Sequence, residues 1–251
     1  MAALTHFSLF TGIGGIDLAA EWAGFETVGQ CEFADYPTKV LEKHWPNVPR
    51  WKDVRELTVE YIRNAGIGEI ALLSGGFPCQ PHSVAGKRKA SGDERDLWPE
   101  YRRLIGEIRP KWVLAENVRG LLSSEDGRFF RGVLRDLADL GYDAGWCTYP
   151  AAWVGAIHRR ERVFTCAYSV SNRLLSGQKG SQVAQPVQQL PRFLQANIRY
   201  DISELRSYRE DNGLRNRIHR IKGLGNMVMP VQVYPILKAI ADIERGELRE
   251  V

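Results

Sequence analysis

Phe7-Ser8-Leu9-Phe10-Thr11-Gly12-Ile13-Gly14-Gly15 is the stretch from which the fold is read. Its first half has the β-rich apolar character of a strand. The Gly-x-Gly-Gly behind it is a tight turn that opens a helix, and glycine there lets backbone amides approach a ligand that a side chain would block. A tight strand-to-helix turn also uses glycine for conformational reasons alone, so the turn by itself leaves both readings open.

Working outward, residues 5 to 168 alternate short apolar runs with amphipathic helical stretches, the pattern of βαβ units around a parallel sheet. Strands are expected near Phe7–Phe10, Thr27–Cys31, Ala71–Ser74, Trp112–Ala115 and Arg162–Ala167. Helices are expected near Gly15–Ala23, Pro37–His44, Leu97–Ile108 and Phe129–Leu140. From Ser169 to Gln189 the composition turns to Gly, Pro, Ser and Gln without periodicity, which reads as loop or a small irregular subdomain. A helical pattern returns from Pro230 to Glu247, with Val231, Tyr234, Ile236, Leu237 and Ile240 as its apolar face.

Composition bounds the partners. The chain has 251 residues, 44% hydrophobic and 25% charged, enough for one large domain with its own core. No apolar run reaches the roughly 18 residues of a membrane span, and no secretory leader is legible, so a cytoplasmic protein without a membrane partner is expected. Cys31, Cys79, Cys147 and Cys166 form no metal-ligand spacing, so neither a metal site nor a disulfide is expected. Residues 151–222 hold 13 Lys+Arg against 5 Asp+Glu, a net +8 within a chain of +4, which leaves −4 for the remainder. A basic lobe beside an acidic body points to a polyanionic partner; a solvated basic face is the alternative.

Three further places carry candidate chemistry. Gly75-Gly76-Phe77-Pro78-Cys79-Gln80 delivers a thiol just beyond an apolar run, where strand ends of an open α/β sheet line the ligand crevice. A small buried thiol is the other reading. Glu32 follows the second strand, about 20 residues after the glycine turn, where a carboxylate accepts hydrogen bonds from ribose hydroxyls. Asp53 is placed to hold an adenine amino group. Each acid alone is commonly a helix cap or a solvated residue. Arg160 and Arg162 alternate with Arg159 and Glu161 on a predicted strand and so share one face, with a solvated charge run as the alternative.

These residues resemble the DNA cytosine-5 methyltransferase family. FTGIGG at 10–15, GGFPCQ at 75–80, ENV at 116–118, HRRER at 158–162 and LGNMV at 224–228 occur in the family's order across nearly the whole chain. The resemblance implies a Rossmann-like α/β domain that uses S-adenosyl-L-methionine, with a small target-recognition lobe. The implied boundaries are 1–168 for the catalytic and cofactor-binding domain, 169–222 for target recognition, and 223–251 for a C-terminal segment returning to the first domain in a closed, two-lobed molecule.

What the resemblance implies for chemistry follows from the base. Carbon 5 of cytosine is a poor nucleophile, so a thiolate must first add at carbon 6, and Cys79 matches that nucleophile. The addition drives negative charge toward ring nitrogen 3, where the family uses the residue that Glu116 matches. Arg160 and Arg162 match the pair that holds the flipped base and its phosphate, a task suited to a planar, permanently charged fork. On the donor side the resemblance implies Phe10 stacked on adenine, with Thr11, Gly12, Gly14, Gly15, Glu32, Phe33, Asp53, Val54, Pro78, Leu97, Asn226 and Val228 completing the pocket. The loop from Pro81 to Asp96 carries Ser83, Lys87, Arg88 and Lys89 toward phosphates. Ser207 to Arg217, with Arg209, Arg215 and Arg217, has donors for phosphates or guanines, or is a basic linker.

The pattern departs from the family at three places. His158 stands where Gln is usual, Met227 where a small residue is usual, and only 58 residues, Thr165 to Lys222, are left for target recognition. Double-stranded DNA is the implied substrate, a cognate restriction endonuclease is a partner such enzymes have, and a monomer is expected. An RNA cytosine-5 methyltransferase and a catalytically impaired DNA-binding relative are the competing readings.

Overall fold

Period-two burial writes the layers of this protein. Along β4 (Leu72–Gly76), β5 (Trp112–Val118) and β7 (Glu161–Ser169), side chains point alternately into two separate apolar clusters. Leu72, Trp112, Leu114, Phe164 and Cys166 face one cluster; Leu73, Val113, Ala115, Val163 and Ala167 face the other. A sheet with two apolar faces must be covered on both. Helices α1 (Gly15–Trp22) and α6 (Pro230–Arg245) supply Ile16, Ala19, Val233, Ile236 and Ile240 to the first cluster. Helices α3 (Val59–Asn64), α4 (Trp98–Ile108) and α5 (Arg128–Asp139) supply Ile62, Leu104, Ile105, Val133 and Leu137 to the second. The result is a three-layer α/β/α domain. The structure, a computed structural model, describes residues 3–78, 96–155, 159–171 and 228–247.

The sheet has seven strands in the order β3-β2-β1-β4-β5-β7-β6, where β1 is Leu4–Leu9, β2 Phe25–Cys31, β3 Arg50–Trp51 and β6 Tyr142–Pro150. The first five are parallel, with α2 (Asp35–His44) between β2 and β3. The expectation of a parallel sheet fails at its far side, because β7 runs antiparallel to both β5 and β6. The connection explains this. A parallel return needs a crossover of roughly a dozen residues or more, and the short link from β6 to β7, which includes a 3-10 turn at Ala151–Val154, permits only a hairpin-like reversal.

The expected elements recur with ends that coincide or shift by up to three residues, while β3, α3 and β6 were not expected. Strand β6 is an edge strand of mixed exposure, interrupted by Asp143 and Gly145 and closed by Pro150, so its apolar alternation is weak. Helix α6 lies on the sheet face beside α1: Trp112 Nε1 donates to Glu244 Oε1 at 2.8 Å, Lys111 pairs with the same carboxylate, and Arg245 Nη2 reaches the Gly24 carbonyl at 3.1 Å. Its buried face holds the expected Ile236, Leu237 and Ile240; Val231 and Tyr234 are only partly buried, and Gln232, a polar residue, is fully buried. Among the described residues no helix is long and apolar enough to cross a membrane, and no cluster of His, Cys, Asp or Glu suits a metal ion. Of the stretch 169–222 expected to serve target recognition, Ser169 ends β7 and residues 172–222 lie outside the described residues.

Candidate active site at the carboxyl edge of the sheet

Parallel strands present their carboxyl ends to one edge, and the candidate residues collect there because each follows a strand. Phe10 to Gly15 follow β1, Glu32 and Phe33 follow β2, Asp53 follows β3, Phe77 and Pro78 follow β4, and Glu116 lies near the end of β5. The reversal of β7 adds a second source. Because β7 is antiparallel, its first residues lie at this same edge, and the register sets Arg162 opposite Val118, two residues beyond Glu116.

Glu116 is 8% exposed, with Arg162 Nε at 2.9 Å from its Oε1. Burial pushes its carboxyl up to about 7, opposed by the charges of Arg162 and Arg160 and by the Arg162 hydrogen bond. The acid is thus protonated over part of the neutral range although two guanidiniums favour its charged form. Gly76 makes room for it. A Cβ on Gly76 would stand 2.9 Å from Glu116 Oε2 and 4.0 Å from Val228 Cγ2, so these three residues meet across β4, β5 and the lead into α6.

Arg160 corrects the predicted pattern. It precedes β7 instead of alternating within it, with φ +30, on the left-handed side that residues with side chains rarely adopt. Both arginines nevertheless act on Glu116, and burial lowers the Arg160 guanidinium from its ordinary value, as does the charge of Arg162.

The turn after β1 is equally shaped. Phe10 has φ +52, Gly12 +60 and Gly14 +86. A Cβ on Gly14 would collide with the Trp45 ring at 2.4 Å, whereas one on Gly12 would meet nothing within 4 Å. The turn is therefore filled behind Gly14 and open above Gly12. Glu32 borders it: Gly12 N donates to Oε2 and Ala34 N to Oε1, each at 2.7 Å. A carboxylate has about four acceptor positions, so two stay available to hydroxyl donors. Beside it Phe33 is 64% exposed, a large apolar surface at the mouth of the turn. Open backbone, a fixed acceptor and an exposed ring fit a nucleoside-bearing donor.

Other donor-side residues are occupied differently. Asp53 receives Arg55 through its backbone amide at 3.0 Å and its guanidinium at 2.7 Å, which holds the carboxylate below its usual range, so an amino group would have to share it. The Thr11 hydroxyl turns inward to Ser8 Oγ at 2.9 Å and the Cys31 carbonyl at 3.2 Å. Phe10 packs edge-on to Tyr101 at 6.0 Å; Val54 and Val228 are buried and Leu97 partly so. Cys79, Ser83, Lys87, Arg88, Lys89, His158, Arg209, Arg215, Arg217, Asn226 and Met227 lie outside the described residues. Cys31, Cys147 and Cys166 are free, and burial raises all three thiols, the first two to about 12, which makes them poor nucleophiles.

Sequence reasoning assigned no role to several residues that build this edge. Asn117 Nδ2 donates to the Phe77 carbonyl at 3.1 Å, tying β5 to the backbone that leads into Pro78. The Tyr101 hydroxyl donates to the Leu114 carbonyl at 3.0 Å between β4 and β5. Asp17 anchors α1 beneath the glycine turn, accepting from Ser8 Oγ at 2.8 Å and Gln30 Nε2 at 2.9 Å. Asn117 had a signal, its place inside ENV; the other two read as ordinary helix residues until the sheet placed them.

Comparison with known proteins agrees with this geometry. A family model described as C-5 cytosine-specific DNA methylase matches residues 4–226. The chain is 38% identical over 163 residues to the type II methyltransferase M.NgoMIV of Neisseria gonorrhoeae, covering 65% of this chain and 51% of that one. It is 35% identical to M.Sau96I of Staphylococcus aureus, over 62% of this chain and 37% of the relative. The chain thus spans about half or less of the length of these relatives. Among solved structures, one described as a prophage-encoded DNA modification methyltransferase of E. coli superposes with a TM-score of 0.60 at 27% identity, over 68% of this chain and 48% of that one. DNMT2 of Spodoptera frugiperda, at 20% identity and a TM-score of 0.55 over 66% of this chain and 50% of that one, shares the fold.

Proposed function

We infer the reaction from a known kinship, for this chain belongs to the C-5 cytosine-specific DNA methylase family, and we propose that it methylates carbon 5 of a flipped cytosine in double-stranded DNA. The observation that carries this reading is Glu116: a buried carboxyl pushed up to about 7, held by Arg162 at 2.9 Å, at the strand edge that also delivers Pro78 and then Cys79. S-adenosyl-L-methionine, when bound, supplies the electrophilic methyl group. The Gly12–Gly15 turn, Glu32 and Phe33 hold it, with Asp53, Val54 and Val228 around them.

The chain's own residues then do the following. Cys79 adds as a thiolate to carbon 6 of the base; the three described cysteines, with raised thiols, leave that role to it. Negative charge develops toward ring nitrogen 3, and protonated Glu116 donates a hydrogen bond to that atom, lowering the barrier. Arg162 fixes the carboxyl through its Nε, and Arg160 and Arg162 together bind the oxygens of the extruded base and its phosphate. Asn117 keeps the Phe77 carbonyl, and with it the backbone entering Pro78 and Cys79, at a set distance from Glu116. Carbon 5, made nucleophilic by that addition, takes the methyl group; its proton then passes to water as the carbon 6–sulfur bond breaks, which frees the Cys79 thiolate and restores the aromatic ring. We assign phosphate contacts to Ser83, Lys87, Arg88 and Lys89, and reading of the target site to Arg209, Arg215 and Arg217. We assign residues 1–168 to catalysis, 169–222 to recognition and 223–251 to the returning segment, in a protein of the prokaryotic or phage-infected cytoplasm.

The test is transfer of labelled methyl from S-adenosyl-L-methionine to duplex DNA, beside the Cys79→Ala protein, with modified positions mapped by bisulfite conversion. Label at one short sequence that vanishes with Cys79→Ala is expected. Transfer to RNA alone, or no transfer with donor binding intact, overturns the reading.

A further inference from the structure

Within that reading, on which this inference rests, we propose that Gln232 of α6 is a positioning residue for Arg160: its amide clamps two carbonyls at the entry to β7 and so keeps the Arg160 guanidinium beside Glu116. Gln232 is fully buried. Its Nε2 donates to the Tyr149 carbonyl at 2.8 Å and to the Arg160 carbonyl at 3.2 Å. Tyr149 lies one residue before the end of β6 and Arg160 one residue before the start of β7. The amide therefore spans the two ends of the link between the last two strands.

The clamp sits where the backbone requires one. Arg160 keeps φ +30, a conformation that a residue with a side chain holds only where its surroundings over-determine it. Ala151 N closes the same link, donating to the Arg159 carbonyl at 2.7 Å. Gln232 is the contribution from outside it, 72 residues further along the chain. It touches the Arg160 backbone and acts on the guanidinium through it.

A buried glutamine aimed at two carbonyls stands in a helix face otherwise lined by Val233, Ile236, Leu237 and Ile240. Among the described residues, the charged groups that face Glu116 are Arg162, at the start of β7, and Arg160, just ahead of it. Gly76 on β4 and Val228 ahead of α6 bring no charge. Helix α6 thus reaches the site through one amide, and docking of α6 on α1 sets the electrostatics at Glu116.

Gln232→Met keeps the length of the side chain and removes the donor. Titration of the carbon-13-labelled Glu116 carboxyl, assigned against Glu116→Gln, reads the arginine field with or without turnover. With Arg160 released, the carboxyl titrates on the order of half a unit higher. Methyl transfer falls about tenfold in kcat, while donor affinity by calorimetry stays within about twofold. An unmoved titration overturns the proposal, as does an equal loss of donor affinity. Failure of both Gln232→Met and the equally long Gln232→Glu to fold makes Gln232 a scaffold residue and overturns it too. A native protein that transfers no methyl group while the titration still moves sinks the functional reading and leaves the positioning intact.

Discussion

Glu116 and Asp17 are both buried acids raised by desolvation, to about 7 and about 6, yet their neighbours are opposite in kind. Asp17, under the glycine turn, accepts its side-chain hydrogen bonds from neutral groups, Ser8 Oγ and Gln30 Nε2; the Arg50 guanidinium stands one step back on Gln30 at 2.7 Å and reaches Asp17 only through its charge. Glu116, at the strand edge, lies against Arg162 and within the field of Arg160. The difference is the one expected between an acid that only holds the scaffold and the acid proposed above to work in the reaction. Neutral donors hold Asp17 in place between β1, β2 and α1 without providing for a charge that changes. Two arginines beside Glu116 keep the carboxyl within reach of both protonation states, which suits a group that must donate to a ring nitrogen as charge develops there.

The largest break in that comparison is Glu116→Gln. If the acid works in the reaction, methyl transfer falls by about 10²–10⁴-fold with little change in melting temperature; transfer within about tenfold of the native rate would place Glu116 with Asp17 as scaffold.

Asp17→Asn should act on stability. The folded acid holds its proton to a higher pH than the unfolded one, so its contribution is present at low pH and is lost as pH rises from its ordinary 3.8 through about 6. Between pH 4 and 7 the stability gap between native protein and variant should change by about 2 kcal/mol, read by urea unfolding. Taking the gap between the two proteins cancels buried His6, lowered to about 3, whose contribution runs the other way. A gap independent of pH would show that Asp17 is not desolvated as described.

Gly76→Ala sharpens the site half. Its new methyl would enter the 2.9 Å space before Glu116 Oε2, so turnover should drop by about tenfold or more while donor affinity holds within about twofold. Equal loss of both would move Gly76 into the donor pocket. The smallest effect is in the pH profile: between pH 7 and 8 the native rate should fall about fivefold as Glu116 loses its proton, and the falling limb should be missing from Glu116→Gln.

Much of the edge was legible in advance because chemistry and turn geometry leave local marks. The Phe10–Gly15 turn, Glu32 after β2, and Gly75 to Pro78 of GGFPCQ all stand where the strands end. What was not legible has physical reasons. Strand β6 is half-exposed and broken by Asp143 and Gly145, so no alternation announced it, and with β6 unseen the reversal of β7 was unseen. Arg160 was read by strand period, which fails one residue before the strand begins. Gly76 looked like turn chemistry, whereas its missing Cβ is also the space that Glu116 occupies.

The amino-acid sequence by itself determined the motifs that stand at the strand ends, most of the strands that carry them and the family to which the chain belongs, because each depends on neighbours a few positions apart. Only the tertiary structure decided that β7 runs backward and so sets Arg162 against Glu116, that Asp17 and Glu116 are acids of different kinds, and that Gln232 meets the Arg160 carbonyl. Those outcomes depend on burial and on contacts between segments up to 72 residues apart, which no local pattern encodes.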